Sequence, residues 1–318
     1  MKISTRNILE YLKNVSIEQG SQKIKNDVSI LETNVGEANV LFKVSINNKN
    51  YSVKVNALKK LRGYHRYEFK LLKALESTSL APAAYIYESN YFDEPISILE
   101  FVVGDPCSQE WVIQNPDKIV GLINELHQTD PSMLKYYHFF GEATDAFDFA
   151  LNILSYEGKQ IRELEDFLKD NEIDVLWRRL SEDRTFLENC KGAFKMQSLY
   201  PTHLSVHRKN IIVTKDKPML IDWQRGGLGD NALELYILFR KFGLINKEII
   251  LNDYCYKDDP LEERILVYER LFHLFDALWS ITRVKAYDSG EVISMFSDYN
   301  PRKKYLTLFY EKMKELKE

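Results

Sequence analysis

The chain has 318 residues, of which 45% are hydrophobic and 28% are charged, a balance that indicates a globular protein with one large core or two smaller ones. Its 43 basic and 47 acidic residues are interspersed and give a net charge of -4, which argues against a nucleic acid as partner. The three cysteines lack paired spacing, which indicates neither a disulfide framework nor a zinc site and favours a cytoplasmic location. Charges interrupt the N-terminal apolar residues and no later apolar stretch is long enough for a membrane span, so we expect no signal peptide and no membrane contact.

The first third of the chain is rich in strand patterns. Alternating β-branched runs separated by Gly- and Asn-containing turns predict three antiparallel strands within residues 28–56. Apolar residues at helical spacing in residues 58–76 predict a helix that packs on this sheet. Two further strands are predicted at residues 84–89 and 96–103, and a turn at Gly104 ends the second one.

The rest of the chain is dominated by helical patterns. One short β island interrupts them, with strands at residues 210–214 and 219–222. A strand-rich first third followed by helices predicts an α+β protein with a small lobe and a large one. The predicted helices are residues 116–128, 143–158, 159–170, 174–190, a helix from about 232, and residues 261–287 and 302–317.

The predicted elements and their motifs follow a distinctive order: a hairpin with a glycine in its turn, a strand with a lysine, a helix with a glutamate, a hinge strand, helices, and the β island flanked by Asn210 and Asp222. This order resembles the protein-kinase-like fold of aminoglycoside phosphotransferases and choline kinases. The resemblance covers nearly the whole chain. It implies a small β-rich, nucleotide-binding N-lobe with the hinge strand in residues 1–103, and a larger, mainly helical C-lobe with the catalytic-type loop and acceptor pocket in residues 104–318.

Lys54 lies on the third strand, where kinases place the lysine that contacts the α- and β-phosphates of the nucleotide. A buried ammonium requires a nearby anion, because desolvating an unpaired charge is costly. Glu68, on the following helix, lies where the family places that anion. Taken singly, each residue could also be a solvated surface charge.

Two further segments resemble nucleotide-binding parts of the family. Gly36, Ala38 and Asn39 resemble the phosphate-covering loop, where backbone N–H groups approach phosphate oxygens, although a plain hairpin turn would look the same. The segment from Ile98 to Gly104, at the end of the fifth predicted strand, resembles the hinge between the lobes. There, the backbone from Glu100 to Val102 would offer a donor and an acceptor to an adenine.

The segment from His203 to Asp222 carries the most specific signal. Asn210 and Asp222 match the oxygen ligands that hold magnesium in relatives, and His203 matches a structural histidine. Asp230 is predicted to cap the helix that follows. His127 also matches a helix end common in the family, and we interpret it as structural.

The chain departs from its family at Ser205, which occupies the position of the catalytic aspartate. A serine hydroxyl cannot act as a base near neutral pH, and losing such a base costs on the order of 10²- to 10⁴-fold in rate. In one interpretation His207, which ordinarily titrates near pH 7, acts as a substitute, although it could also be an ordinary loop residue. In a second, Ser205 only orients the acceptor of a slow enzyme. In a third, the protein binds nucleotide and metal without catalysis.

The acceptor stays open at this stage, because relatives phosphorylate hydroxyls of aminoglycosides, macrolides, choline, homoserine and sugars, and a fold does not select a substrate. Asp276 interrupts an apolar helical run, which is costly unless the charge is paired. It would bind a cationic acceptor, or form an ion pair with Arg283 or with another helix. Aromatic residues on the same helices form either a core or a cage for an ammonium group.

The sequence thus predicts a phosphotransferase that uses ATP or GTP with Mg²⁺ and acts on the hydroxyl of a small molecule. The alternative is a catalytically inactive nucleotide-binding protein with a regulatory or partner-binding role. A protein kinase is disfavoured, because the metal position reads Asp222-Trp223-Gln224 instead of Asp-Phe-Gly and no Ala-Pro-Glu segment is present. Oligomeric state, the choice between ATP and GTP, and the role of residues 130–198 are left open.

Overall fold

Five strands of the N-terminal third form one antiparallel sheet in a computed structural model that describes residues 3–17, 26–35, 39–56, 62–195, 197–243, 247–258, 260–291 and 301–317. The strands are β1 (Val28–Val35), β2 (Asn39–Ile46), β3 (Lys49–Asn56), β4 (Ala84–Glu88) and β5 (Ile96–Glu100). Their order in the sheet is β1-β2-β3-β5-β4. Asn47 and Asn48 turn the β2–β3 hairpin with φ values of 51° and 65°, a left-handed conformation that asparagine tolerates better than most residues.

Two helices belong to this lobe. The first, α1 (Thr5–Leu12), begins at Ser4, whose side chain accepts a hydrogen bond from the Asn7 amide, and it buries Ile8 and Leu12 against the sheet. Sequence patterns did not predict it, because it has only 8 residues. The second, α2 (Arg62–Ala74), contacts β4 and ends close to the predicted limit. Residues 58–61 of the predicted helix lie outside the described residues.

The C-lobe is mainly helical, as predicted. One expected pair of helices, at residues 143–158 and 159–170, is a single helix instead. A Cβ at Gly158 would lie 3.3 Å from the Leu180 side chain, so this glycine allows close helix packing and is not a break. The helices are α3 (Gln109–Gln114), α4 (Pro116–Gln128), α5 (Ala146–Leu164), α6 (Asp170–Asn189), α7 (Asn231–Phe242), α8 (Lys247–Asp253), α9 (Leu261–Asp288) and α10 (Arg302–Glu315).

Short strands also occur in the C-lobe. One, β6 (Asp105–Pro106), precedes α3. Those between α6 and α7 are β7 (Tyr200–Thr202), β8 (Ile211–Val213), β9 (Pro218–Leu220) and β10 (Gly227–Gly229). A three-stranded sheet has the order β6-β8-β9, and β7 pairs with β10. Gly227 has φ of 146°, and a Cβ there would lie 2.3 Å from the Tyr137 carbonyl oxygen. Only glycine fits this close approach of two loops.

Two hydrophobic clusters support the two lobes. The smaller cluster lies between α1 and the five-stranded sheet. The larger cluster fills the C-lobe and also includes Leu71, Leu72 and Leu75 of α2 and Leu99 of β5. Packing therefore continues across the predicted lobe boundary and fixes α2 relative to the C-lobe. In the part of the chain that the structure describes, no helix is long and apolar enough to cross a membrane.

Candidate active site

Lys54 lies at the centre of a buried ion-pair group. It is on β3 and opposite Ser97 of β5, and only 3% of the residue is exposed. Its Nζ lies 2.8 and 2.7 Å from the two carboxylate oxygens of Glu68 and 2.7 Å from Asp222 Oδ1. Burial alone would lower the pKa of Lys54, but the two carboxylates outweigh it and raise that pKa. The predicted Lys54–Glu68 pair is therefore present, and the ammonium stays charged.

Asp222 follows β9 with an unusual backbone. Its φ is 64°, a left-handed conformation that costs a non-glycine residue about 1–2 kcal/mol. Burial acts to raise the pKa of Asp222, but the Lys54 ammonium and its hydrogen bond lower it below the ordinary value. The next amide, that of Trp223, donates to Glu68 Oε1 at 3.0 Å. The ion pair with Lys54 thus keeps Asp222 ionised, although its side chain is 40% exposed.

The β8–β9 hairpin brings Asn210 to the same end as Asp222. Ile211 pairs with Leu220, and the Ile221 amide donates to the Asn210 carbonyl at 2.9 Å. The Asn210 side-chain amide donates to the carbonyl and hydroxyl oxygens of Ser205 at 3.0 and 3.3 Å. The Oδ1 atom of Asn210 takes no part in these hydrogen bonds.

The remaining oxygens of this pair fit a hard divalent cation. Neither Asp222 Oδ2 nor Asn210 Oδ1 has a hydrogen-bond partner among the described residues. Carboxylate and amide oxygens are the ligands that Mg²⁺ prefers, with water and phosphate oxygens completing the shell. Within the same described ranges, no group of three or more His, Cys, Asp or Glu residues could hold a metal by itself. A cation at this pair would therefore need oxygens from a bound phosphate or from water.

The loop before Ser205 is held by a buried carboxylate that sequence reasoning missed. Glu234 of α7 accepts hydrogen bonds from the His203 and Leu204 amides at 2.7 and 2.8 Å. Burial lowers the pKa of His203, so its neutral ring donates from Nε2 to the Ile221 carbonyl at 3.0 Å. A single carboxylate in an otherwise apolar helical segment was the available signal for Glu234.

His127 and Asp230 have structural surroundings, as expected. His127 is buried, and its Nδ1 lies 2.6 Å from the Tyr254 hydroxyl. Asp230 caps α7 by accepting from the Ala232 amide at 2.9 Å, and its carboxylate also pairs with the buried Arg264 at 3.1 Å.

Ser205 and His207 lie in this loop, but His207 differs from the expectation of a group that titrates near pH 7. Ser205 is half-buried, and its hydroxyl accepts from Asn210. Burial is the main cause that lowers the pKa of His207 to about 4, and the positive charge of Lys241 acts in the same direction. The imidazole is therefore neutral at pH 7 and a weak base.

The two predicted nucleotide-binding segments are described in part. Gly36 and Ala38 lie outside the described residues. Asn39 begins β2, and its side-chain oxygen accepts from Gln224 at 3.2 Å, which links that strand to the segment after Asp222. The Glu100 amide donates to the Ala83 carbonyl at 2.8 Å. Any adenine contact at Glu100 would therefore use its carbonyl, next to the half-buried Val102.

Asp276 has a partner other than Arg283. Its carboxylate forms an ion pair with Arg240 of α7, so the expectation of a pair with another helix is correct and the Arg283 alternative is wrong. The reason is geometric, since the face of α9 that carries Asp276 packs against α7. Asp276 therefore no longer requires a cationic acceptor to explain it.

Comparison with known proteins agrees with this architecture. A sequence model of the phosphotransferase enzyme family matches residues 30–267. The chain belongs to this family. The matched range includes the Lys54, Glu68, Asn210 and Asp222 positions, and it confirms the family resemblance noted from the sequence. No curated protein sequence gives a significant match.

Solved structures show the same fold. The chain is similar to an ethanolamine kinase of Plasmodium vivax, with 16% identity, a TM-score of 0.64, and coverage of 92% of this chain and 81% of that one. It is similar to the choline kinase LicA from Streptococcus pneumoniae, with 19% identity, a TM-score of 0.57, and coverage of 91% and 92%. A ternary complex of APH(2")-IIa with streptomycin and ATP matches with 19% identity, a TM-score of 0.58, and coverage of 99% and 97%. At these identities the likeness establishes the two-lobed, protein-kinase-like α+β fold that the sequence predicted.

Proposed function

We propose that this protein transfers the γ-phosphoryl group of ATP or GTP to a hydroxyl of a small molecule, with Mg²⁺ as cofactor. The observation that carries the proposal is the Lys54 ammonium held between Glu68 and Asp222, beside two oxygens without partners on Asp222 and Asn210. Phosphoryl transfer needs positive charge and metal-binding oxygens at one point, because positioning and charge stabilisation dominate its catalysis.

Each residue has a role in this proposal. Glu68 keeps Lys54 in place while the ammonium moves from Asp222 to the nucleotide phosphates. Asp222 and Asn210 hold Mg²⁺, which neutralises charge on the phosphate oxygens. The backbone from Glu100 to Val102 and the loop at Gly36 and Asn39 bind the rest of the nucleotide.

The acceptor hydroxyl lies at the Ser205 loop. Its oxygen forms a bond to the γ-phosphorus as the bond to the β–γ bridging oxygen breaks, and the nucleoside diphosphate leaves. The hydroxyl proton passes to His207, which is neutral but a weak base because burial lowers its pKa to about 4, or to solvent. Ser205 orients the hydroxyl through its own O–H group.

The three free cysteines support a reducing location such as the cytoplasm.

One observation favours a second function, nucleotide binding without turnover. Ser205 and Asn210 are joined by a hydrogen bond, and no carboxylate stands at the Ser205 position. In this alternative the protein keeps its nucleotide and metal sites for a regulatory or partner-binding role.

The variant Ser205→Asp separates the two functions. We would measure binding of Mg-ATP and release of ADP, with water as the acceptor, for the wild type, Ser205→Asp and the control Ser155→Asp on the exposed face of α5. If the missing base limits an enzyme, Ser205→Asp raises turnover on the order of 10²- to 10⁴-fold and the control does not. Binding without turnover in every variant supports the second function, and absence of Mg-ATP binding rejects both.

A further inference from the structure

A second cationic group lies beside the candidate active site. Arg225 comes three residues after Asp222 in the chain, and its guanidinium lies 5.9 Å from the Phe139 ring and 5.4 Å from the Phe275 ring. Arg283, two turns further along α9 than Phe275, lies 5.5 Å from the Trp279 ring. We call Arg225 and Arg283 the arginine pair.

The arginine pair has no carboxylate partner. Among the described residues, neither guanidinium has a hydrogen bond or ion pair with an acidic side chain, and Arg283 Nη1 is buried without any hydrogen-bond partner. Burial lowers the pKa of Arg225, and the positive charge of Arg283 acts in the same direction. Both arginines are half-buried, and a guanidinium in such a place is costly without an anion.

The acidic side chains that act on Arg225 are already engaged. Asp222 and Asp276 are the carboxylates that attract Arg225, but Asp222 pairs with Lys54 and Asp276 pairs with Arg240. Within the described part of the chain, no carboxylate is thus left to neutralise the arginine pair.

Aromatic rings from several elements surround the arginine pair. Tyr64 of α2 lies 5.3 Å from Phe139, and Tyr156 of α5 lies 6.1 Å from Phe139 and 6.2 Å from Phe275. Tyr64, Phe139 and Tyr156 are half-buried and keep some exposed surface. The face therefore joins apolar rings to unpaired guanidinium groups, which is suited to a ligand with carbon surface and a negative group.

We propose that the acceptor of this phosphotransferase is an anionic hydroxy compound whose carboxylate or phosphate group is bound by Arg225 and Arg283. This inference rests on the proposed function. A cationic acceptor does not fit this face, because the arginine pair would repel it and Asp276 is occupied. Planar guanidinium groups match both carboxylate and phosphate through paired N–H donors, so the experiment distinguishes these two sources.

The test uses four three-carbon probes of similar size: glycerate, glycerol 3-phosphate, neutral glycerol and cationic serinol. Saturating Mg-ADP is present throughout, so that the probes do not bind in the nucleotide site. We expect the melting temperature of the wild type to rise with glycerate or glycerol 3-phosphate and not with glycerol or serinol. The anion that raises the melting temperature more identifies whether the site prefers a carboxylate or a phosphate group.

Variants locate the anion. Arg225→Gln and Arg283→Gln should each weaken anion binding about 10- to 100-fold, since each loses charge-assisted hydrogen bonds. Arg225→Lys should keep part of the binding. The matched control is Arg162→Gln, which removes an exposed arginine that also lies over an aromatic ring, at 5.9 Å from Trp177, and it should bind like the wild type.

A separate readout tests for a merely structural role. Without any probe, Arg225→Gln should melt at or above the wild-type temperature, because it removes an uncompensated charge. A clear decrease would mean that Arg225 serves the fold and would contradict the proposal. Stabilisation by serinol, anion binding that survives in both arginine variants, or no stabilisation by either anion would also overturn it. If Mg-ADP itself fails to stabilise the protein, it is the proposed function that fails.

Discussion

At one side of the site, the Lys54 ammonium has two carboxylates within 2.8 Å, whereas at the other side Arg225 and Arg283 have aromatic rings and no acidic partner among the described residues. Lys54 and Glu68 are buried, and the two arginines are half-buried. Carboxylates balance the first charge, whereas no described carboxylate balances the second. The difference indicates that the Lys54 group, formed by Lys54, Glu68 and Asp222, is pre-organised in the free protein, whereas the arginine pair is completed only by a ligand.

Of the changes considered, removal of Lys54 should lower the free energy of unfolding most. Lys54→Met leaves Glu68 buried without its cation, and breaking a buried pair in this way typically costs about 3–5 kcal/mol. We expect this loss in the free energy of unfolding from urea titration. Lys70→Met, at an exposed position of α2, should stay within about 0.5 kcal/mol of the wild type. Equal stability of Lys54→Met and wild type would contradict a pre-organised pair.

Acid should lower the free energy of unfolding through His65, which interacts with the Lys54 charge. Burial and then the Lys54 charge lower the pKa of His65 to about 3, and its Nε2 lies 2.5 Å from Ser97 Oγ. The folded-state pKa of His65 lies below the ordinary value. The contribution of neutral His65 to the free energy of unfolding is therefore fully present above about pH 6.5. It is lost as the pH falls toward 3, by about 1.4 kcal/mol per pH unit.

Urea titrations from pH 7 to pH 4 measure this loss. His65→Gln should reduce the slope, because a glutamine does not gain a proton on unfolding. His273→Gln, at a partly exposed position of α9, should keep more of the wild-type slope. Equal slopes in the wild type and His65→Gln would show that His65 is not the titrating group.

Loss of the Asp276–Arg240 pair should have the smallest effect on the free energy of unfolding. Asp276→Asn removes a partly exposed ion pair, and such pairs contribute about 0–1 kcal/mol. If Asp276 is structural, nucleotide turnover and probe binding stay at the wild-type level. A large loss of binding for a cationic probe would instead restore Asp276 as an acceptor ligand and weaken the argument for the arginine pair.

The parts of the fold that sequence patterns predicted are those with strong local signals. The alternating strands around Lys54 and the Asn210 and Asp222 positions on either side of a hairpin were found because their spacing is short. Short elements were missed, including α1 and the β7–β10 pair. The predicted boundary between residues 158 and 159 was wrong, and the packing of Gly158 against α6 is not a local property.

Contacts between distant segments account for what could not be predicted in the site. Glu234 anchors a loop 30 residues away, and Arg240 meets Asp276 from another helix. The lowered pKa of His207 comes mainly from burial, which its neighbours in sequence do not reveal. That Arg225 and Arg283 have no ion pair with a described carboxylate is likewise a property of tertiary packing.

The most direct test of the account is the thermal stability of the protein with Mg-ATP or Mg-GTP and with the same nucleotides plus EDTA. At about 100 times its dissociation constant, a ligand stabilises the folded state by about 2.7 kcal/mol. We predict a metal-dependent increase in melting temperature for the wild type and for Asp216→Ala in the exposed β8–β9 turn, and none for Asp222→Ala. An absent shift in the wild type with both nucleotides, or an equal shift in Asp222→Ala, would contradict a nucleotide and metal site at Lys54, Asn210 and Asp222.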